Sequence, residues 1–199
     1  MKPWRQALLK GISRACFFCR AIVGLANAGK STLLNVLADG KSADTAPTIG
    51  LDVKLVQREN VTMKCWDLGG QTAFRGEWAR YAADCQVILF VVDAHAPEQI
   101  PDARIELHRL LENRGLADKP ICVVANKVDL SPCLTEEQII KELVRTSRSS
   151  HSHEIHRNRT CLQNLDYCMN AWIVIPASAK LQTNIDSVLH WLIEQSKES

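Results

Sequence analysis

Hydrophobic residues in this chain occur in short runs separated by stretches with an amphipathic, helix-like pattern. Apolar runs rich in β-branched residues predict strands at 16–23, 51–56, 61–67, 86–93, 121–125 and 172–177. Apolar positions at helical spacing predict helices at 30–38, 101–113, 136–145 and 184–195. The last helix carries one apolar face, formed by Ile185, Val188, Leu189 and Leu192. Strands that alternate with helices are typical of an α/β fold.

The predicted strands are of two kinds, and this decides the type of sheet. The run 87–92 is apolar without interruption, which suits a parallel strand covered on both faces. The runs 51–56 and 61–67 are joined through Arg58-Glu59-Asn60 and predict an antiparallel hairpin. We therefore predict a single domain, residues 16–199, with a mostly parallel six-stranded sheet, one antiparallel strand and helices on both faces.

The composition of the 199 residues, 46% hydrophobic and 23% charged, fits one globular domain. No apolar run approaches the roughly 20 residues needed to cross a bilayer. Lys10 and Arg14 interrupt the apolar residues of the N-terminus before a signal-peptide core can form. The chain is therefore expected to stay in the cytosol, where disulfides are not expected.

The eight cysteines are scattered singly along the chain. Cys65, Cys85, Cys122 and the others are interpreted as small buried hydrophobic residues. Only Cys16 and Cys19 have C-x-x-C spacing, and no second pair follows to complete the four ligands of a zinc site.

The net charge is +2, but the charged residues are unevenly distributed along the chain. The first 20 residues contain no acidic residue but five basic ones: Lys2, Arg5, Lys10, Arg14 and Arg20. They alternate with the apolar residues Trp4, Leu8 and Ile12. This pattern predicts an amphipathic N-terminal helix, residues 1–15, that can lie on an anionic membrane or pack on the domain. Lys2 stands where N-myristoylation requires glycine, so an acyl anchor of that kind is not expected.

One segment departs from the α/β pattern. Residues 145–164 are rich in Ser, His, Arg and Asn and contain almost no apolar residue, which predicts an exposed polar insertion. His151, His153 and His156 lie within it. Clustered histidines can bind a metal, but solvated side chains explain the same pattern without a ligand.

A phosphate-binding pattern follows the first predicted strand. The segment Gly24-Leu25-Ala26-Asn27-Ala28-Gly29-Lys30-Ser31, followed by Thr32, matches G-x-x-x-x-G-K-[ST] at a predicted helix start. The glycines let backbone N–H groups turn toward phosphate oxygens, and Lys30 can reach the β and γ phosphates. Ser31 would ligate Mg²⁺. We expect residues 24–32 to bind a nucleotide; the alternative is a simple glycine-containing strand-to-helix turn.

A second motif indicates which base is bound. Asn126-Lys127-Val128-Asp129 directly follows the apolar run 121–125. The Asp129 carboxylate can accept from N1–H and the amino group of guanine, a donor pair that adenine lacks, while the Lys127 stem lies along the base. Adenine would leave this carboxylate unpaired at a cost of several kcal/mol. Ser178-Ala179-Lys180, after the last strand, could add a backbone donor to the guanine oxygen.

Two further segments carry residues suited to the γ phosphate. Asp67-Leu68-Gly69-Gly70-Gln71 follows the third strand: Asp67 would hold Mg²⁺ through water, the Gly70 amide can contact the γ phosphate, and Gln71 can orient an attacking water. Upstream, Thr48 can offer its hydroxyl to Mg²⁺ and its amide to the γ phosphate. Strand ends of this kind meet at one sheet edge, where open α/β folds bind ligands.

Together these motifs resemble the small GTPases of the ADP-ribosylation factor-like family. Trp66-Asp67-Leu68-Gly69-Gly70-Gln71 is similar to that family's switch motif, and the resemblance covers nearly the whole chain except the insertion. Trp78-Ala79-Arg80-Tyr81 and Trp191-Leu192-Ile193 are similar to its lysosome-associated branch. Leu51 and Asp52 differ from the family, which usually has phenylalanine and asparagine there.

The resemblance implies a switch cycle. In this family GTP draws the residues that match Thr48 and Gly70 onto the γ phosphate, and the hairpin between them slides by about two residues. The N-terminal helix then leaves its groove for the membrane. Effectors would bind a surface that includes Leu51, Trp66 and Tyr81. The implied cofactor is Mg²⁺, with GTP as substrate and GDP as product.

We therefore expect a GTP-binding switch with slow hydrolysis, served by an exchange factor and by a GTPase-activating protein that commonly contributes an arginine. In its GTP state it would recruit effectors to the cytoplasmic face of a membrane, in vesicle or lysosome and late-endosome trafficking. The expected protein is a monomer that does not bind nucleic acid. Two alternatives stay open: a non-hydrolysing guanine-nucleotide-binding scaffold, which Gln71 and Thr48 disfavour, and a P-loop kinase or ATPase, which Asp129 disfavours.

Overall fold

A computed structural model of the chain describes residues 18–58, 61–145 and 172–197. The strands are β1 (Phe18–Val23), β2 (Leu51–Arg58), β3 (Val61–Leu68), β4 (Val87–Asp93), β5 (Ile121–Asn126) and β6 (Trp172–Pro176). They form one six-stranded sheet in the order β2-β3-β1-β4-β5-β6. β2 is antiparallel to β3, and the other neighbouring pairs are parallel. The mostly parallel sheet with one antiparallel strand is therefore confirmed.

The helices are α1 (Lys30–Asp39), α2 (Thr72–Arg75), α3 (Trp78–Ala83), α4 (Ile100–Leu111), α5 (Glu136–Val144) and α6 (Ile185–Lys197), with short 3-10 turns at Pro97–Gln99 and Arg114–Leu116. The four predicted helices are confirmed to within a few residues at each end. Helices α2 and α3 were not predicted, because elements of 4 and 6 residues are too short for a helical apolar repeat. Tertiary packing holds them: the buried Trp78 indole Nε1 donates to the Gly69 carbonyl at 2.9 Å.

The core has two layers, one on each face of the sheet. One layer contains Trp78 of α3 and buried side chains of α4 and α5. The other contains buried leucines of α1 and the face of α6 that includes Val188 and Leu192. β4 passes between the layers and is buried at all 7 residues, with Ile88 on one side and Leu89 on the other. A strand covered on both faces tolerates no polar alternation, which explains its continuous apolar run.

The predictions about cysteines are confirmed in part. Cys19, Cys65, Cys85 and Cys122 are buried free thiols. Cys133 is exposed, so the prediction that all cysteines are buried is wrong at this position. The physical reason is its place in the loop between β5 and α5, outside the apolar runs that form the sheet.

Several predictions fall on residues outside the described ranges. These are the N-terminal helix 1–15, almost all of the polar insertion 145–164, and the three histidines within that insertion. Among the described residues, no group of three or more His, Cys, Asp and Glu side chains is arranged to hold a metal ion. In the same part of the chain, no helix combines the length and apolar character needed to span a membrane.

Candidate nucleotide-binding site

The phosphate loop, residues 24–31, connects the end of β1 to the start of α1. Gly24 and Gly29 have φ angles of 140° and 88°, which side-chain-bearing residues rarely adopt. A Cβ atom at Gly24 would lie 2.1 Å from the Val91 carbonyl oxygen, and one at Gly29 would lie 2.2 Å from Asn126 Nδ2. The loop is thus pressed against β4 and β5, and both close approaches require glycine.

Lys30 occupies the first turn of α1 and is nearly buried. Its Nζ donates a hydrogen bond of 2.8 Å to the Leu25 carbonyl oxygen within the same loop. Burial lowers the pKa of Lys30 to about 8, while the nearby Asp67 carboxylate opposes this change. Because of its hydrogen bond to Leu25, the ammonium lies inside the curve of the loop. A phosphate anion bound there would pair with it and raise its pKa.

Ser31, Thr48 and Asp67 form a compact cluster beside the phosphate loop. Ser31 Oγ donates to Asp67 Oδ2 at 2.5 Å and lies 2.8 Å from Thr48 Oγ1. Thr48 Oγ1 also donates to Asp67 Oδ2, at 3.1 Å. These three residues come from α1, from the segment before β2, and from β3, so the fold assembles them from distant parts of the sequence.

The oxygens of this cluster fit a magnesium ion. Asp67 is 1% exposed, and its Oδ1 atom is buried without a hydrogen-bond partner in the described part of the chain. Burial raises the pKa of Asp67, whereas the Ser31 hydrogen bond and the Lys30 charge act in the opposite direction. Two hydroxyls and a carboxylate with an unused oxygen are hard donors of the kind that Mg²⁺ prefers. Ser31, Thr48 and Asp67 are the residues that would hold it.

Gly70 brings the segment after β3 onto the phosphate loop. A Cβ atom at Gly70 would lie 2.4 Å from the Leu25 carbonyl carbon and 2.5 Å from the Ala26 nitrogen. The neighbouring Gly69 N–H donates to the Gly50 carbonyl at 2.8 Å, which ties this segment to the one before β2. Gln71 follows at the N-cap of α2, where its side chain is exposed.

The position of the Gly70 peptide is fixed from outside the loop. Arg75 Nε donates to the Gly70 carbonyl at 3.1 Å, and its Nη1 lies 3.5 Å from Glu106 Oε1 on α4. Glu106 is 8% exposed. Neither residue was predicted for the site, because Arg75 lies just after the motif 67–71 and Glu106 lies about thirty residues further along the chain.

The base end of the site, residues 126–129 and 178–180, contains the predicted guanine motif and is organised around Asn126. Its Nδ2 donates to the Ala28 carbonyl at 2.8 Å, and its Oδ1 accepts from the Ala179 N–H at 2.9 Å. One side chain thus connects the phosphate loop, the end of β5 and the loop after β6. Residues 178–180 were predicted to offer a backbone donor to the guanine oxygen, and within them the Ala179 N–H has Asn126 as its partner in this structure.

Lys127 and Asp129 are each held by a second side chain. Lys127 has a φ angle of 67°, and its Nζ lies 2.6 Å from Asp93 Oδ2. Asp129 Oδ1 accepts from Ser178 Oγ at 2.6 Å. Asp93 was not predicted for the site; the sequence signal that could have found it is an acidic residue at the end of β4, at the same sheet edge as the other motifs.

The remaining predicted residues lie around this same edge. Thr32 Oγ1 lies 3.2 Å from Thr45 Oγ1, whereas Asn27 and Lys180 are exposed. In the predicted effector surface, Trp66 and Tyr81 meet edge to face with ring centroids 5.8 Å apart. Leu51 packs partly buried against the same core layer. The structure thus brings the predicted nucleotide-binding segments together, and the effector role of the aromatic surface stays a prediction.

A G-x-x-x-x-G-K-S loop, an Asn-Lys-x-Asp segment and a hydroxyl–carboxylate cluster at one edge of a mostly parallel sheet define a P-loop protein of the small GTPase class. The model of the ADP-ribosylation factor family matches residues 18–196. The chain belongs to this family, and the resemblance inferred from its sequence is confirmed. Small GTPases of this family bind guanine nucleotide.

Two relatives from Arabidopsis thaliana match over most of their length. ADP-ribosylation factor-like protein 8d is 38% identical over 178 residues, covering 89% of this chain and 90% of the relative. ADP-ribosylation factor-like protein 8b is 37% identical over 199 residues, covering 98% and 97%. Among solved structures, the Arl6 small GTPase from Trypanosoma brucei with bound GppNp superimposes with a TM-score of 0.74 at 21% identity, covering 92% of this chain and 99% of that one. This structural likeness supports the fold.

Proposed function

We propose that this protein is a GTP/GDP switch that hydrolyses GTP and recruits effectors to a membrane in its GTP state. The observation that carries the proposal is the meeting of two separate chain segments beside the phosphate loop. Thr48 reaches the Ser31–Asp67 pair, and Gly70 packs directly on Leu25 and Ala26. Both segments lie where the γ phosphate of a bound triphosphate would be, so both can contact it in the GTP state and lose that contact in the GDP state.

The residues of the site have distinct tasks in this proposal. Lys30 and the backbone N–H groups of the loop bind the phosphates, and the Gly70 N–H donates to the γ phosphate. Bound Mg²⁺ supplies neutralisation of the charge on the β and γ phosphates. Gln71 orients the attacking water, and its exposure leaves space for an arginine from a GTPase-activating partner.

The hairpin formed by β2 and β3 connects the two γ-phosphate-sensing segments. Its pairs run from Leu51 opposite Leu68 to Arg58 opposite Val61. A slip by two residues would exchange backbone hydrogen bonds rather than lose them and would keep each side chain on its face. Contacts made only with GTP can therefore shift the register at small cost. Ile49, 83% exposed, and Leu55, 59% exposed, would change position with the hairpin and offer effectors a state-dependent apolar surface.

The membrane and the pathway are further parts of the proposal. The relatives named ADP-ribosylation factor-like proteins 8d and 8b support the branch that the sequence resembles, which is associated with lysosomes. The basic and apolar residues of segment 1–15 support peripheral binding to the cytoplasmic face of a membrane. The proposed site of action is the lysosome or late endosome, with the protein as a monomer between cytosol and membrane.

Single-turnover hydrolysis of bound GTP, with a GTPase-activating fraction added in a second arm, tests the switch. We expect slow release of phosphate that the fraction accelerates, and at least about tenfold slower release for Gln71→Leu, because the water loses its orienting amide. Gln57→Leu, an exposed glutamine at the far end of the hairpin, is the matched control and should retain the wild-type rate. GTP binding without any turnover in either arm would instead favour the guanine-nucleotide-binding scaffold.

A further inference from the structure

Two buried thiols lie in contact near the N-terminal ends of β1 and β4. Cys19 is the second residue of β1, and Cys85 precedes β4 by two positions. Their Sγ atoms are 2.9 Å apart, and the residues are 8% and 1% exposed. The backbone fixes their approach, because Gln86 N–H donates to the Cys19 carbonyl at 3.0 Å while Gln86 Oε1 accepts from Cys19 N–H at 2.6 Å.

The distance between the two sulfurs distinguishes a shared metal ion from a direct sulfur–sulfur bond. Two thiolates that share a tetrahedral zinc ion, with Zn–S bonds of about 2.3 Å, place their sulfurs about 3.8 Å apart. The observed 2.9 Å is too short for a shared metal. Within the described residues no third ligand completes such a site. A direct sulfur–sulfur bond requires only that the two atoms approach by a further ångström or less.

The surroundings of the pair shift the pKa values of the two thiols in opposite directions. The hydrogen bond from the Cys85 thiol lowers the pKa of Cys19, with the Lys64 and Arg20 charges acting in the same direction against burial. The same hydrogen bond, together with burial, raises the pKa of Cys85. Burial raises the pKa of Cys122 to about 12, so that thiol stays protonated.

Arg20 is an unusual neighbour for these sulfurs. It is 0% exposed, and none of the ion pairs among the described residues involves it. Its Nη1 donates to the Cys19 carbonyl and its Nη2 to the Leu192 carbonyl, each at 3.2 Å. The guanidinium also donates to Ser196 Oγ and lies over the Phe18 ring, 5.3 Å from its centroid, and its positive charge lowers the pKa of Cys19.

We propose that Cys19 and Cys85 form a redox-modification site that reacts with a peroxide and closes to an intramolecular disulfide. The Cys19 thiolate attacks one peroxide oxygen, the O–O bond breaks, and the departing hydroxide takes a proton to become water. Cys19 is then a sulfenic acid. Cys85 sulfur attacks the Cys19 sulfur, the S–O bond breaks, and the second hydroxide takes the Cys85 proton. Two thiols and one peroxide give one disulfide and two waters, with two electrons passing to the peroxide.

The bond would enclose both nucleotide-sensing segments in one covalent loop. The two cysteines are 66 positions apart, and the phosphate loop, Thr48 and Gly70 lie between them. Closing a loop of that length restricts the unfolded chain, so the oxidised protein should melt roughly 10 °C higher than the reduced one. In a glutathione-reduced cytosol the thiols persist, and the disulfide marks exposure to oxidant. This site depends on no step of GTP hydrolysis.

The experiment uses the full chain in a Cys16→Ser background, since trypsin leaves Cys16 and Cys19 together in peptide 15–20. Native protein is treated with hydrogen peroxide, alkylated, digested without reductant and analysed by mass spectrometry, and its melting temperature is measured before and after. We expect a linked 15–20/81–104 peptide that dithiothreitol removes, together with the rise in melting temperature. Cys65→Ser, a buried thiol in the other core layer, is the matched control and should retain the link.

Cys85→Ser should lose both the linked peptide and the rise in melting temperature. If this variant does not fold, peptide mapping of the Cys16→Ser protein decides alone. Cys19 and Cys85 recovered as free thiols while Cys133 is oxidised would overturn the proposal. So would Cys19 recovered as sulfinic acid with Cys85 still free.

Discussion

The two ends of the nucleotide site are built differently. At the base end, Asp93, Asn126, Lys127, Asp129 and Ser178 form pairs of 2.6 to 2.9 Å with one another or with the backbone. At the switch end, residues 45–50 and 69–75, Ile49 is 83% exposed and the Gln71 side chain faces solvent. A few contacts to Gly70 and Asp67 hold that end in place.

This difference indicates how one site can both retain and sense a nucleotide. In the proposed function, a preorganised base end would lose little conformational entropy when guanine binds and would contact GDP and GTP alike, so it would set affinity without favouring either state. Only groups that contact the γ phosphate can shift a conformational equilibrium between the two nucleotides. The comparison therefore predicts that substitutions at the base end change both affinities equally, while those at the switch end separate them.

The largest effect is expected for Asp129→Ala at the base end. Loss of the carboxylate would remove the two charge-assisted hydrogen bonds predicted to guanine, so GDP and GTP affinities should both fall by about 100- to 1,000-fold. Displacement titrations with each nucleotide measure this, and Asp118→Ala, an exposed aspartate before β5, should leave both affinities unchanged. A loss confined to GTP would contradict the division between the two ends.

The next effect is expected for Gly70→Ala at the switch end. The added Cβ would lie 2.4 Å from the Leu25 backbone and prevent the segment from closing on the phosphate loop. GTP affinity should fall by roughly 30- to 100-fold while GDP affinity changes by less than about threefold. Gly76→Ala is the matched control, because a Cβ there meets nothing within 4 Å and φ is −60°. Equal loss of both nucleotides would refute the proposed sensing role.

A smaller effect is expected for Arg75→Gln. The substitution removes the support that passes from Glu106 to the Gly70 carbonyl, so GTP affinity should fall by about three- to tenfold with GDP affinity preserved. Isothermal titration calorimetry with GDP and a non-hydrolysable GTP analogue measures the difference. Arg80→Gln, at an exposed arginine on α3, should leave both affinities as they are. An unchanged GTP affinity in Arg75→Gln would show that Gly70 needs no outside support.

The sequence predicted most of the fold because its elements are long enough to carry their own pattern. The six strands and the four longer helices were confirmed. α2 and α3 were missed, because helices this short form where Trp78 is anchored rather than where a repeat favours them. Cys133 was predicted to be buried by analogy with cysteines in apolar runs, but it lies in a loop.

By itself the sequence determined the phosphate loop, the guanine motif and the two γ-phosphate segments, because each is a run of adjacent residues whose spacing encodes its chemistry. Only the tertiary structure decided which side chains support those motifs. Asp93 meets Lys127 from another strand, Glu106 meets Arg75 from another helix, and Cys19 meets Cys85 across 66 positions. Such pairs leave no local signature, because packing of the sheet, and not proximity along the chain, brings their atoms together.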